Sequence, residues 1–284
     1  MDALTIAACL SWGLFAGLVF SSVGAAGGIL TSFGLITLFG LGDPNSVKPM
    51  TQIVVLVAVL TFVPSYLRHS ALVWPLGLLL GTGGLVGAFA GSTLSSHYLS
   101  DMAAFRPLFG ALTLAIAAQI AWGLLRGRGS PGVASQDAGG PPVAGVVRAR
   151  VSARAVTFGY GDADFRVPLW SPMLAGAAIA ITASVFGVGG GFLLVPYMAA
   201  VLGMPMHIIP ATAAIAIGIA LVVSIGNFVA LGAEIRFELL VPLAIGTAIG
   251  SVAGPRVNRA MCNTWLQAAM ALIVAGIGLN YVLS

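Results

Sequence analysis

The chain has 284 residues, of which 59% are hydrophobic and only 7% charged, with a formal net charge of +4. A soluble domain carries about 25% charged residues. A chain with so little polar surface, and a mean hydropathy of +1.05, is therefore a polytopic membrane protein, which excludes a water-soluble enzyme or a nucleic-acid binder.

The N-terminus, MDALTIAACLSWGLFAGLVF, has no positively charged lead and no clear small-residue cleavage site. It reads as a retained first helix, not a signal peptide. Crossing a bilayer takes about 20 apolar residues. On that measure the first half offers Leu4–Val23, the glycine-led Gly28–Leu41, Val47–Leu67, Leu72–Leu94 and Phe105–Leu125. The second half offers Leu169–Val185, Gly191–Leu202, His207–Leu231, Leu239–Val257 and Thr264–Leu283. Each half has five segments and the second of each is short, so those two are expected to be broken or re-entrant. The expected fold is an all-α polytopic membrane protein of two homologous repeats, residues 1–126 and 167–284.

Between the repeats, residues 127–166 are rich in Gly, Pro and Arg and read as a linker. Within it, Val147–Val156 alternates apolar residues with Arg or Ser, a pattern open to a short strand or hairpin with Thr157–Val167 as well as to plain disorder. Six of the twelve Lys and Arg lie between Arg126 and Arg166. The positive-inside bias then puts the linker in the cytoplasm. With an odd number of crossings per half, the second repeat is inverted relative to the first and both termini lie outside. The tryptophans Trp12, Trp74, Trp122, Trp170 and Trp265 fall near segment ends, as interfacial belts do. Cys9 and Cys262 imply neither a disulfide framework nor a metal site.

The most informative stretch is Gly187–Thr212, GVGGGFLLVPYMAAVLGMPMHIIPAT. Backbone unwound at membrane depth is tolerated only where it is buried in protein or lines a cavity. Glycine supplies the φ > 0 conformations and the close approach that such a turn needs. A helix restarting at Phe192 would aim free N–H groups at the glycine gap, where an anion is stabilised. A weaker copy occurs at Gly24–Thr51. Gly24, Gly27 and Gly28 match Gly187, Gly190 and Gly191 at an offset of 163. Gly42, Pro44, Pro49 and Thr51 match Gly203, Pro205, Pro210 and Thr212 at 161. Paired, interrupted apolar segments point to the binding site of a secondary transporter.

The candidate substrate-binding residues are thus Gly24, Gly27, Gly28, Thr51, Gln52, Gly187, Gly189, Gly190, Gly191, Thr212 and Asn227. The glycines could instead serve close helix packing, and Thr51, Gln52 and Thr212 could cap the helices that start beside them. Asn227 could join two helices. Lys48, Arg68 and His207 are the cations placed to attract an anion, although an interfacial position explains them too. No acidic residue stands out inside a helix. No H-E-x-x-H, G-x-S-x-G, P-loop or EF-hand pattern is present, so catalysis, a metal, a cofactor and ATP-driven pumping are not expected.

The second glycine stretch resembles the signature of the TauE/SafE family of sulfite exporters, also called toluene-sulfonate uptake permeases. It has the glycine-rich turn, an apolar run with a proline, G-x-P, and a threonine-bearing helix start. The N-terminal copy is similar, with Ala25–Ala26 in place of consecutive glycines, Phe33 in place of a proline, and Gln52 where a small residue is common. The resemblance implies transport of sulfite or small organosulfonates, multi-pass in a bacterial cytoplasmic membrane, by alternating access. A passive small-anion channel is the alternative. The partners implied are the lipid bilayer and a small sulfur-containing oxyanion. A homodimer is the assembly expected at this size, and neither sequence nor resemblance chooses between proton and sodium as the coupling ion.

Overall fold

The computed structural model describes residues 2–23, 27–67, 72–125, 147–152, 155–160, 163–204, 208–260 and 263–283. Gly24, Arg68, His207 and Cys262 lie outside them, as does most of the linker. Ten α-helices and one small sheet make up the described residues.

The first half comprises α1 (Ala3–Val23), α2 (Gly27–Phe33), α3 (Pro44–Leu67), α4 (Trp74–Tyr98) and α5 (Met102–Leu125). The second comprises α6 (Trp170–Phe186), α7 (Gly191–Pro196), α8 (Ile209–Ala230), α9 (Phe237–Ala260) and α10 (Asn263–Leu283). Both short helices continue into a single π-helical stretch, Gly34–Leu38 after α2 and Tyr197–Val201 after α7. Each second segment is therefore 11 or 12 residues long, too short to cross the bilayer as a helix. Ala3–Ser21, Trp74–Tyr98, Met102–Leu124 and Ala211–Ala230 are long and apolar enough to span it.

Local chemistry sets the helix ends. The Asp43 carboxylate accepts from the N–H groups of Asn45 and Ser46 at 3.0 Å each and from Ser46 Oγ at 2.6 Å. Pro44 follows at the first helical position, which needs no N–H. Asp101 caps α5 the same way, accepting from the Ala103 N–H at 3.1 Å. Trp12 is half-buried and donates from Nε1 to the Leu30 carbonyl at 3.0 Å, fixing α2 against α1. Trp12 thus lies in the middle of α1 and serves this bond, while Trp74, Trp122 and Trp170 are exposed.

Small residues decide how the long helices pack. On α4, a Cβ at Gly83, Gly87 or Gly91 would run into the backbones of Met173, Ala177 and Ile181 of α6 respectively. The order ascends on both helices, so they run parallel. The opposite face of α4 lies on α8: Gly77 meets Thr212 and Ile215, and Gly81 meets Ile219. That pair is parallel as well. In the same manner Gly13 and Gly17 of α1 meet Leu243 and Thr247 of α9, and Gly246 and Gly250 return the contact to Leu10 and Leu14. These are small-xxx-small crossings, in which dispersion between close backbones substitutes for a hydrophobic drive that lipid cannot supply. α5 packs on α10, and α3 lies between α8 and α9.

The sheet is antiparallel, in the order β1 (Val147–Val151), β2 (Ala155–Tyr160), β3 (Ala163–Pro168). It is an addition to the all-helical expectation and runs past the linker boundary at residue 166. The alternation produces it: Val156, Phe158 and Val167 are buried and belong to the same apolar cluster as Val73, Met198, Met204 and Ile208. Arg150 and Arg166 align with Thr157 in the register and are exposed. The apolar face thus docks where α4 and α8 begin, and the basic face turns outward.

Candidate functional site

The glycine cluster forms the turn that its composition suggests. α6 ends at Gly187 with φ +73°, Gly189 and Gly190 have φ +92° and +69°, and α7 begins at Gly191. Three positive-φ residues in four positions are a conformation that side-chain-bearing L-residues avoid. The turn is held by Val188 N–H to Ala183 O at 3.1 Å and by Leu193 and Leu194 N–H to Gly190 O at 3.2 and 3.1 Å. Among the described residues, the N–H groups of Gly189, Gly190 and Phe192 have no backbone acceptor.

Gly189 and Gly190 form part of the wall of a small pocket of about 30 Å³. α6 contributes Gly176, Ile179, Ala180, Ala183 and Ser184; α8 contributes Ala216, Ile217, Ala220 and Leu221; α4 contributes Leu80 and Gly84. The remaining polar residue is Gln52 of α3, which is fully buried, and neither its Oε1 nor its Nε2 has a hydrogen-bond partner. An unpaired buried polar atom costs about 1–3 kcal/mol, and this side chain carries two. The pocket is thus apolar along its length and has polar groups at the glycine turn and at Gln52, a disposition suited to a small polar or anionic ligand.

The other candidates divide between this pocket and its supports. A Cβ on Gly28 would collide with the Val188 carbonyl, so the start of α2 lies against the back of the turn. Gly27 packs on Phe20. Thr51 is buried with its hydroxyl 3.1 Å from Ser32 Oγ. Thr212 accepts from the Val73 N–H at 3.2 Å and donates to the Ile208 carbonyl at 2.8 Å, which ties the start of α8 to the segment leading into α4.

Lys48 is fully buried within the protein. Its Nζ donates to the Leu99 carbonyl at 2.7 Å and to the Ser95 carbonyl at 3.5 Å, and lies 5.0 Å from the centre of the Phe105 ring. The last carbonyls of α4 thus receive a cation where the helix dipole favours one. Gly187 sits on this stem, since a Cβ there would be 2.8 Å from Lys48 Cα. Ser95 Oγ donates to the Val185 carbonyl at 2.7 Å and closes the cluster.

Asn227 does not line the pocket. Its Nδ2 donates to Ser92 Oγ at 2.7 Å and Thr93 Oγ1 at 2.9 Å, joining α8 to α4. Asn227→Leu is expected to lower stability by about 1 kcal/mol, in the range measured for interhelical side-chain bonds in membranes, and to leave transport intact. Thermal unfolding in detergent beside a flux assay checks both. Ser184 and the α4 and α6 walls were not among the sequence candidates. The glycine spacing on α4 marks it as a crossing helix, but it does not say that Gly84 and Gly176 line the pocket.

A family model described as "Sulfite exporter TauE/SafE" matches residues 9–281 of the chain. No curated protein and no solved structure matches it.

Proposed function

The chain belongs to the TauE/SafE sulfite exporter family, and from this premise we propose that it is a secondary carrier that moves sulfite or a small organosulfonate across a bacterial cytoplasmic membrane by alternating access. The observation that carries the reading is the pocket at the glycine turn, where a fully buried Gln52 presents two unpaired polar atoms. A protein tolerates such atoms where a ligand completes them.

The packing supports an inverted pair of repeats. Exchanging the halves turns the α1–α9 pair into the α6–α4 pair, and leaves α5–α10 and α3–α8 as pairs. α4, α6 and α8 run parallel. α3 runs against them, because Lys48 near its start meets Ser95 and Leu99 at the end of α4. A six-residue connection reverses α8 into α9, and α1 is parallel to α9. Each helix of the first half so ordered runs opposite to its counterpart in the second. Inverted repeats that rock about a site near the midplane are a common basis of alternating access. The docked sheet carries Arg150 and Arg166 outward, in keeping with a cytoplasmic position under the positive-inside rule. Thr51, Ser32, Thr212, Lys48 and the Gly27–Gly28 pair support the pocket; Gln52, Gly189, Gly190 and Ser184 are its ligand-facing residues.

Sulfite flux into proteoliposomes holding the purified chain tests the proposal. Saturable flux that sulfonates suppress is the expected result. Flux linear in substrate would make the protein a passive anion channel, and no flux under imposed proton or sodium gradients would overturn the reading.

A further inference from the structure

The chemistry of Gln52 narrows the ligand, on the premise that the pocket is the transport site. A glutamine carboxamide offers two N–H donors and one carbonyl acceptor. The oxygens of a fully ionised oxyanion only accept. They satisfy Nε2 and any free N–H of the glycine turn, and they leave Oε1 buried, unpaired and facing negative charge. Exchanging the oxygen and nitrogen assignments of the amide alters nothing, because both ends lack partners. Among the described residues, none that lines the pocket is charged, and the Lys48 ammonium is held by the Leu99 and Ser95 carbonyls. A dianion would therefore be buried with no cation to offset it.

We infer that the pocket selects a monoanion carrying a hydrogen-bond donor next to its oxyanion group, and that Gln52 is the residue that reads that donor. Hydrogen sulfite has this chemistry, and so does a short alkanesulfonate with a hydroxyl on the neighbouring carbon. The apolar wall of Leu80, Ile179, Ile217 and Leu221 is the side on which the carbon chain of the second would lie. The selection is specific to the first repeat: at the offset that pairs Thr51 with Thr212, the counterpart of Gln52 is Ala213, which has no polar atom to offer.

The test is calorimetric titration of the purified full chain with ethanesulfonate and 2-hydroxyethanesulfonate, which differ by one hydroxyl. The hydroxylated probe is expected to bind roughly tenfold to a hundredfold more tightly, the range for leaving one buried polar group unpaired. In Gln52→Leu, and in Gln52→Met as a second variant of similar length, the two affinities are expected to agree within about twofold. A sulfite titration repeated across its second ionisation separates the two ligand sources. If hydrogen sulfite is the bound species, sulfite affinity falls as pH rises while that of ethanesulfonate, which does not titrate there, stays constant. Equal binding of the two sulfonates by the wild-type chain, or a preference that survives in both variants, overturns the inference and leaves the carrier reading standing. Binding of neither probe, together with no sulfite flux, overturns both.

Discussion

Gly190→Val is expected to abolish saturable flux and to leave the protein inserted and helical. The backbone at Gly190 has φ +69°. A β-branched residue there is a genuine outlier, and such strain costs of order 1–3 kcal/mol. On the packing side there is some room. A Cβ would lie 3.2 Å from Ala183 Cβ and 3.7 Å from Ile179 Cγ2, with no backbone nearby. Both of those residues line the pocket, so the methyls of valine fill space that the ligand needs. The same substitution at Gly187 or Gly189 would be less informative. A Cβ there meets Lys48 Cα at 2.8 Å or Val55 Cγ1 at 2.7 Å, and loss of activity would be mixed with loss of fold. The helix seams that hold the bundle, α1 on α9 and α4 on α6, do not involve Gly190. The check is flux in proteoliposomes beside circular dichroism and gel filtration of the same preparation. Gly190→Ala, with one methyl and a milder penalty, is expected to retain part of the activity. Wild-type flux by the valine variant would remove the turn from the transport site.

The features legible in the sequence are those that local chemistry fixes. Every helix begins within about three residues of its expected start, because Pro44 after Asp43, the glycines before α7 and the apolar runs act over one turn of chain. The short second segments were visible for the same reason, since glycine clusters and prolines interrupt the run. What was not legible depends on residues far apart in sequence. The burial of Lys48 is not visible in the sequence because nothing near it shows that the end of α4, about 50 residues later, supplies its acceptors. Thr212 reads in the sequence as free to meet a ligand, but the Ile208 carbonyl takes the proton it would donate. Asn227 could be glue or contact, and only the hydroxyls of Ser92 and Thr93 choose. Gln52 is the converse case. Its residue type made it a candidate, but what marks it is the lack of any partner, a property of the whole fold. The sheet falls between: alternation of Val and Arg proposes strands, and an apolar surface at Val73 and Ile208 stabilises them.

Lys48→Glu should be the most disruptive single charge change in the chain, and Lys48→Met a mild one. The ammonium is buried with no carboxylate within bonding distance among the described residues; it is held by two carbonyls, the face of Phe105 and the negative end of α4. Every one of these attracts a cation and repels an anion. A glutamate would meet the Leu99 and Ser95 oxygens with its own and would be buried unpaired, at a cost of about 3–5 kcal/mol, comparable to breaking a buried ion pair. Methionine keeps an apolar stem under Gly187 and loses the donor, which orphans the Leu99 carbonyl at about 1–3 kcal/mol. It also relieves the desolvation of a charge, so its net cost is expected to stay below about 2 kcal/mol. The two variants therefore separate by several kcal/mol, with the glutamate form poorly folded and the methionine form folded and close to wild type. Thermal unfolding of all three proteins in one detergent measures the gap. Equal loss in both variants would mean that the stem, rather than the cation, holds the end of α4 against the turn. Equal stability in both would mean that the cluster of Lys48, Ser95 and Val185 does not brace the glycine turn at all, and that α7 owes its position to its packing on α6 and α8.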